Sequence, residues 1–374
     1  MPCPGGFWYF GSVGFSARNP RPPRFLSRGA PRHGGFPALE TYSAPVLNRG
    51  AKLLNMEKVL FLINPISGTS PGEVLARRIR AAADGLLPPE SYDLAFTEQD
   101  THAQAVRLAK RYGAIIAVGG DGTLGQVVQA TMGLSPMPKL CIIPYGVGND
   151  LARSLGVYKL LKKEGLRAVM EMILRGRTRN VDVMQVNHQT LCASYFGAGN
   201  DARISNLFNR FRPKATRPAA KVRPIINNGL YTIFVLGNLL YTIPFPLYVT
   251  YRDKKGVDRR FVVPKGNHGL LITNSSIYAG GSIVSSMSDM TDGKFEVTLI
   301  ANLRQWFTMH FTRVFRRPMN VLNPKILQFQ TERLIVEQSG QTFYQIDGEK
   351  PLQRITGTRI LEFAIAGKVP MIVP

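Results

Sequence analysis

Short apolar runs alternate with amphipathic segments in the first half of this 374-residue chain. The apolar runs lie at residues 59–63, 115–118 and 140–143. An unbroken run of this length is typical of a parallel strand that is buried on both faces. The amphipathic segments predict helices at residues 73–83, 102–110 and 166–174. Alternating strands and helices predict a doubly wound parallel α/β domain over residues 57–181.

The pattern changes after Asp182, where runs become shorter and apolar and polar residues begin to alternate. Residues 246–251 and 259–263 alternate in this way on either side of the turn-forming residues 253–256. This arrangement predicts a β-hairpin. The second half of the chain is therefore predicted to form a β-rich domain over residues 182–350.

The strand predicted at residues 115–118 ends in the sequence GGDGT, and helical spacing resumes at Leu124. Glycines let backbone N–H groups approach an anion, and the start of a helix adds partial positive charge. Asp121 is not attracted to phosphate, so its place in this turn indicates an exposed acid that binds a magnesium ion or its water shell. The plain alternative is a glycine-rich connection without a ligand.

Two further predicted strands end in the same kind of turn. The first apolar run is followed by NPISG, and the third by PYGVGNDLAR. The ends of parallel strands meet at one edge of a sheet, which is where open α/β folds bind ligands. The chain has no GxxxxGK[ST] run, so the turns are not a P-loop of that type.

These motifs together resemble a known family. NPISG at 64–68, GGDGT at 119–123 and GVGNDLARSLG at 146–156 are similar to the diacylglycerol kinase catalytic domain, in its compact bacterial form. The resemblance continues in the GAGNDA, YAGG, TDGK and IDGE sequences at 197–202, 278–281, 291–294 and 346–349. It extends from about Glu57 to the C-terminus.

The resemblance implies a second domain that is a β-sandwich, and a final segment, residues 351–374, that returns to the first domain. It also implies an active site in the cleft between the two domains, with ATP and Mg²⁺ as cofactors. The residues it assigns to nucleotide binding are Asn64, Pro65, Ser67, Gly68, Thr97, Gly119, Gly120, Gly122, Thr123, Gly146 and Asn149.

The same resemblance places the general base in the DGE motif, at Asp347 or Glu349, and makes Asp121 the third catalytic acid. Two carboxylates that are separated by one residue in a strand share a face, so either one can act. Asp292, with backbone oxygens of Asp289 and Lys294, corresponds to a structural magnesium site in the second domain.

Two positions depart from the family pattern. Gly125-Gln126 stands where the family usually has Asn-Glu, and Val147 stands where it usually has a hydroxyl. Both departures bear on nucleotide binding. The function that the resemblance implies is phosphorylation of a lipid hydroxyl such as that of diacylglycerol, giving a phospholipid such as phosphatidic acid. An NAD kinase, which also carries GGDGT, and a non-catalytic lipid- or nucleic-acid-binding protein are the alternatives.

The composition favours an enzyme that works at an anionic membrane surface. The net charge is +23 and the isoelectric point is about 10.3. Such a surface attracts anionic partners, and because no RNA-binding motif is present, nucleic acid is not expected. Three scattered cysteines indicate a reducing compartment without a disulfide framework. The predicted location is cytoplasmic and peripheral at a membrane, with the oligomeric state, including a homodimer, left open.

Three segments bear on how the chain meets a membrane. Residues 203–223 are rich in Lys and Arg and predict either a solvated loop or an anionic-lipid dock. The apolar segment 230–249 is interrupted by Asn and Pro, so a buried helix followed by a strand is favoured over a membrane span. The apolar stripe of residues 302–317 is assigned to the core, with an interfacial helix as the alternative.

Residues 1–56 lack the periodicity of a core and carry many Arg, Pro and Gly residues. They predict a disordered extension, an organellar targeting segment, or residues that precede the true start at Met56.

A chain that begins at Met56 is therefore expected to fold and to work as well as the longer one. Thermal denaturation and enzyme assays of the two chains side by side check this. A lower melting temperature of the shorter chain would show that the first residues pack against the rest.

Overall fold

The strands of the first domain form from the apolar runs, because each run can be buried only inside a sheet that is covered on both faces. A computed structural model describes residues 58–68, 71–146, 148–215, 223–348 and 360–374, with the backbone alone at 212–215, 223–229 and 231. The first four strands are β1 (Val59–Ile63), β2 (Tyr92–Phe96), β3 (Ala114–Gly119) and β4 (Lys139–Pro144). They are parallel, in the order β2-β1-β3-β4.

Helices cover this sheet, as the amphipathic pattern predicts. They are α1 (Gly72–Asp84), α2 (Thr101–Ala109), α3 (Asp121–Thr131), α4 (Asp150–Ser154) and α5 (Val157–Arg175). Helix α1 packs with α5, and α2 packs with α3. The conformation of Gly165, with φ +84°, interrupts α5, so the helix predicted at residues 166–174 is its second segment.

The second half of the chain is mostly strands. They are β5 (Thr178–Val186), β6 (Thr190–Cys192), β7 (Tyr195–Gly199), β8 (Leu247–Arg252), β9 (Asp258–Val263), β10 (Gly269–Thr273), β11 (Ile277–Tyr278), β12 (Ser282–Ile283), β13 (Phe295–Ile300), β14 (Gln328–Thr331), β15 (Arg333–Gln338), β16 (Tyr344–Ile346) and β17 (Ile360–Ile372). The helices are α6 (Asn200–Ala215), α7 (Arg223–Asn238), α8 (Leu303–Phe315) and α9 (Met319–Leu322). The predicted hairpin is present as β8 and β9.

Strand β17 joins the two halves of the molecule. Its C-terminal end pairs in parallel with β4, through Met371 and Leu140. It also pairs antiparallel with β15 at its N-terminal end and with β5 from Phe363 to Ile372. One continuous sheet therefore runs β2-β1-β3-β4-β17-β15-β8-β9, and the parallel sheet passes directly into the antiparallel one.

A second sheet, with the order β14-β13-β10-β7-β16, completes a β-sandwich. Apolar side chains from both sheets form one buried cluster, in which the Phe196 ring lies 4.8 Å from that of Phe363. The described chain is therefore an α/β domain followed by a β-sandwich, as the sequence predicts. All of the described residues belong to one compact unit, Leu53–Pro374.

Helices α7 and α8 cover a further buried cluster that includes Trp306 and Met309. For the segment 230–249, the predicted helix followed by a strand is confirmed: α7 ends at Asn238, and Leu247 and Val249 of β8 are buried. The burial predicted for the helix is only half right, because Ile233 and Leu236 of α7 are 63% and 64% exposed. The core assignment of residues 302–317 is half right: Trp306 is buried, but Phe311 is 53% exposed. Among the described helices, none is long and apolar enough to span a membrane.

The packing of α8 generates a prediction about acid stability. His310 lies against the Trp306 ring, 4.3 Å away, and burial, followed by the charge of Arg313, lowers its pKa from 6.5 to about 4. Its contribution to stability is present above pH 6.5 and is lost as the pH falls towards 4. Relative to His310→Gln, the wild type should lose roughly 2 to 3 kcal/mol of unfolding free energy over that range.

Urea denaturation at pH 7.5, 5 and 4 measures this difference. The matched control is His102→Gln, because His102 is exposed on α2. This variant keeps His310, so its unfolding free energy should depend on pH as that of the wild type does. Parallel pH curves for wild type and His310→Gln would show that His310 is not held neutral by the fold.

Candidate active site

The three glycine-containing turns meet at one edge of the parallel sheet. Strands β1, β3 and β4 are neighbours, so the turns that follow them lie side by side. The Asn64 backbone N–H donates to the Val118 carbonyl at 2.9 Å, and the Tyr145 N–H donates to the Gly119 carbonyl at 2.8 Å. Thr97, which follows β2, donates its N–H to the Ile63 carbonyl at 2.8 Å.

Glycine is required where these turns touch. A Cβ at Gly146 would overlap the Cα of Gly120, and a Cβ at Gly68 would overlap the Tyr145 carbonyl oxygen. Gly68 also has φ +72°, which favours glycine. The turns therefore pack backbone against backbone, and this contact fixes the shape of the edge.

Side chains reinforce the same edge. The Asn64 Nδ2 donates to Thr123 Oγ1 at 3.0 Å, and the Asn64 Oδ1 accepts the Ile66 N–H at 3.1 Å. A Cβ at Gly119 would lie 2.8 Å from Thr123 Oγ1, so this glycine leaves room for the Asn64–Thr123 bond. Pro65 packs on Gly72 at the start of α1, and Ser67 is half-buried beside Gly120.

Helix α3 begins directly after Gly120, which offers no side chain to cap it. Its first turn, Asp121 to Thr123 with Gly122 between them, therefore presents backbone N–H groups and the positive end of the helix dipole at the sheet edge. A phosphate group suits such a position.

Asp121 differs from the free, exposed acid that its place in the turn suggested. Its carboxylate is partly buried and accepts the backbone N–H groups of Asp150, at 2.8 Å, and Leu151, at 3.2 Å. It thus stabilises the start of α4. Burial, and then the nearby charge of Asp150, raise the pKa of Asp121 to about 7.

Asn149 holds the third turn in place from a left-handed conformation, with φ +56°. Its Nδ2 donates to the Gly146 carbonyl at 2.7 Å. Its Oδ1 is buried and has no hydrogen-bond donor in the part of the chain that the structure describes. A buried acceptor oxygen of this kind suits a magnesium ion or a water molecule bound to one.

Asp150 connects the first domain to the β-sandwich. Both of its carboxylate oxygens accept the Gly280 backbone N–H at 2.8 Å, and Oδ2 also accepts the Tyr195 hydroxyl at 3.2 Å. Burial raises the pKa of Asp150, while these donors and two arginines, Arg153 and Arg313, lower it.

The two arginines lie on either side of the tight turn that contains Gly280. Arg153 Nε donates to the Gly148 carbonyl at 3.1 Å, and its guanidinium lies 3.9 Å from the centre of the Tyr158 ring. Arg313 of α8 donates to the Ala279 carbonyl and to Ser282 Oγ. The cleft therefore has cationic side chains beside its buried acids.

Asp347 is not part of a strand, contrary to the expectation that it shares a strand face with Glu349. Strand β16 ends at Ile346, and Asp347 and Gly348 have φ +49° and +86°. The Asp347 carboxylate is committed to the backbone N–H groups of Ala193, Ser194 and Tyr195, at 2.8 to 2.9 Å. Burial raises the pKa of Asp347, whereas these three donors lower it.

Two positions that the sequence singled out, Glu349 and Val147, lie outside the described residues. Gly125, where the family usually has Asn, faces Asp347: a Cβ at Gly125 would lie 3.9 Å from Asp347 Oδ2. The adjacent Gln126 is exposed on α3. The departure at position 125 therefore leaves open space beside a buried carboxylate.

The predicted structural metal site lies in the loop before β13. Asp289 accepts Arg179 Nη2 at 2.8 Å and the Thr291 N–H at 3.0 Å, and Asp292 accepts the Lys294 N–H at 2.9 Å. No group of three His, Cys, Asp or Glu side chains that could hold a metal ion occurs in the described ranges. A site built from one carboxylate and two carbonyl oxygens stays a prediction.

Several residues of the cleft had no assigned role in the sequence analysis. Tyr278 donates to Asp201 and accepts Gln345 Nε2 at 2.7 Å, and its ring lies 4.5 Å from that of Tyr195. Asp150 and Gly280 are 130 positions apart. Asp150 belongs to the GVGND motif and could have been found from the sequence. No motif contains Tyr195, so the sequence did not identify it as the partner of Asp150.

Three phosphate-type turns lie on one sheet edge, and Asp150 joins them to the second domain, so the fold is that of a two-domain α/β protein with a candidate ligand site at that edge. The description "Diacylglycerol kinase catalytic domain" matches residues 58–186. The description "Diacylglycerol kinase accessory domain" matches residues 192–350. The first match covers the α/β domain and β5, and the second covers the chain from the end of β6 past β16.

Individual relatives agree. The diacylglycerol kinase of Staphylococcus haemolyticus is 37% identical over 253 residues, which cover 67% of this chain and 70% of that protein. The diacylglycerol kinase of Bacillus subtilis is 25% identical over 253 residues and 75% of its length. A crystal structure of a diacylglycerol kinase from Bacillus anthracis has a TM-score of 0.61, with 20% identity, and covers 86% of this chain and 98% of that one.

The chain belongs to the diacylglycerol kinase family, and the enzyme is a lipid kinase.

The bonding of Asp347 generates a prediction that separates a structural from a catalytic role. In Asp347→Asn one carboxylate oxygen becomes an N–H donor that faces backbone N–H groups. We expect the unfolding free energy to fall by about 2 kcal/mol or more, the range for a lost hydrogen bond to a charged group. Urea denaturation measures it, with Asp258→Asn on the exposed β9 as the control.

If Asp347→Asn unfolds like the wild type but loses turnover, Asp347 is the general base and not an anchor of the loop.

Proposed function

We propose that the protein transfers the γ-phosphoryl group of ATP to the hydroxyl group of a diacylglycerol-like lipid, giving a phospholipid such as phosphatidic acid. One observation carries this proposal: three glycine turns and the start of α3 converge at the sheet edge that faces the second domain. Phosphoryl transfer depends mainly on positioning and charge neutralisation. This edge provides fixed backbone donors for both.

The ATP phosphates are proposed to lie against the first turn of α3 and the turn that contains Asn64, Ser67 and Gly68. Because Gly120 and Gly146 touch, the phosphate turns can move only together. Thr97 borders the same edge after β2. These residues bind and orient the nucleotide.

Magnesium, when bound, would supply positive charge that neutralises the charge developing on the phosphates. The residues suited to hold it, directly or through water, are Asn149, through its unpartnered Oδ1, and Asp121. Magnesium commonly uses only one or two protein ligands beside substrate phosphates. A cluster of three acids is therefore not needed.

The acceptor proton is proposed to pass to the DGE motif. Since the Asp347 carboxylate is already held by three backbone N–H groups, we assign the base to Glu349 and an anchoring role to Asp347. The lipid is proposed to enter from an anionic membrane surface. The net charge of +23 supports this.

The experiment is a radiolabelled ATP assay of the purified protein against diacylglycerol, sphingoid base, ceramide, phosphatidylglycerol and NAD. We expect label in diacylglycerol. Gly146→Ala should lower kcat/KM by about 100-fold, because it forces the phosphate turns apart. The control is Gly85→Ala, since a Cβ there meets nothing within 4 Å. If the label appears in NAD and in none of the lipids, the proposed lipid substrate is wrong and the protein phosphorylates NAD.

A further inference from the structure

The solvent side of α8 is apolar where a helix of a water-facing surface is normally polar. The exposed fractions of Phe307, Phe311, Val314 and Phe315 are 40%, 53%, 73% and 60%. Trp306 and Met309, on the opposite side, are buried. The helix is therefore apolar on both sides, and its core face does not account for the outer one.

The exposed apolar surface continues past the end of the helix. Val321 and Leu327, in the segment that follows, are 48% and 49% exposed. We call residues 307–327 with these six exposed side chains the α8 surface. Contiguous exposed apolar surface of this kind marks an interaction site more often than a plain protein surface.

The charge of the α8 surface has one sign. Its cations are Arg313, Arg316, Arg317 and Lys325, Arg304 lies on the first turn of the same helix, and the sequence has no acid between Glu296 and Glu332. Arg316 and Arg317 are exposed directly beyond Phe315, at the end of the helix. Aromatic side chains flanked by arginines suit the boundary between the headgroups and acyl chains of an anionic bilayer.

The α8 surface lies next to the cleft. Arg313 of α8 donates to the Ala279 carbonyl, and the next residue, Gly280, donates its N–H to Asp150. A membrane against α8 is therefore one short turn away from the residues that join the two domains.

Helix α7 widens the same apolar region. Its Phe234 and Val235 pack on the cluster that Trp306 and Met309 belong to. Its Leu236 and the following Leu240 are 64% and 86% exposed. Two helices that cover one cluster thus both keep apolar side chains in contact with solvent.

We propose that the α8 surface docks the enzyme on an anionic lipid bilayer and thereby places the mouth of the cleft at the membrane. This inference rests on the proposed lipid substrate, and it gives that substrate a route of entry. A second copy of the chain would bring like charges together at Arg316 and Arg317, whereas anionic headgroups neutralise them. Charge complementarity therefore favours the bilayer.

The test is co-sedimentation of the full chain with vesicles of phosphatidylglycerol and phosphatidylcholine, or of phosphatidylcholine alone. Wild type should bind the anionic vesicles more tightly. Arg316→Glu with Arg317→Glu should weaken that binding by about 30-fold, because each cation near an anionic leaflet contributes to it. Phe311→Ser with Phe315→Ser should weaken it by about tenfold or more.

Matched controls are available on the β8–β9 hairpin. Lys254→Glu with Lys255→Glu makes the same change of charge at exposed positions. Val257→Ser with Val262→Ser removes two apolar side chains that are 47% and 46% exposed. Both control variants should bind like the wild type. If the controls weaken binding as much as the α8 variants do, attraction is spread over the whole surface and the proposal is wrong.

Activity separates docking from chemistry. With a short-chain diacylglycerol dissolved as monomers, the α8 variants should work like the wild type. With the same lipid class in anionic vesicles they should be slower by the factor lost in binding. If no lipid is phosphorylated but wild type still binds anionic vesicles through α8, the proposed substrate is wrong and the docking surface stands.

Two further results would overturn the docking proposal. One is equal binding of wild type to neutral and anionic vesicles at low salt. The other is a dimer that becomes a monomer in Phe311→Ser with Phe315→Ser while vesicle binding is unchanged, which would make this face a self-association interface. Should the phenylalanine variant fail to fold, the arginine variant, whose side chains are exposed, decides the question alone.

Discussion

The cleft depends on a chain of buried carboxylates that are held by backbone N–H groups. Asp121 holds the first residues of α4, and Asp150 in turn holds Gly280 in the turn between β11 and β12. Asp347 holds the start of β7 in the same way. A carboxylate without donors is costly to bury, so each of these acids fixes the loop that satisfies it. The contacts of Asp150 hold the second domain against the turns of the first.

Local patterns were sufficient for most of the fold. Continuous apolar runs marked β1, β3 and β4, and alternation about a turn marked the β8–β9 hairpin, because burial on two faces or on one leaves a direct trace in the sequence. The burial predicted for α7 is only half right, because one side of the helix is exposed. An apolar composition does not say whether enough surface is available nearby to cover the helix.

The site was predictable as a set of turns but not as a set of bonds. GGDGT placed Asp121 at a sheet edge, and the structure agrees with that position. The sequence suggested an exposed acid, whereas Asp121 accepts N–H groups from a helix 29 positions away. Likewise the DGE motif suggested a strand, and the φ of Asp347 contradicts it. Both errors have the same cause: the partner of each carboxylate comes from a distant part of the chain.

Strand β17 has a consequence for how the molecule can assemble and change. Its pairing of Met371 with Leu140 closes a loop of more than two hundred residues, which makes the contact slow to form and late in folding. The continuous sheet that both domains share is not complete before that pairing exists, so the two domains should fold as one cooperative unit and not one after the other. For the same reason neither domain can be exchanged between relatives without affecting the other. An exchange of the β-sandwich between relatives carries away the strand that borders β4, and with it the end of the parallel sheet.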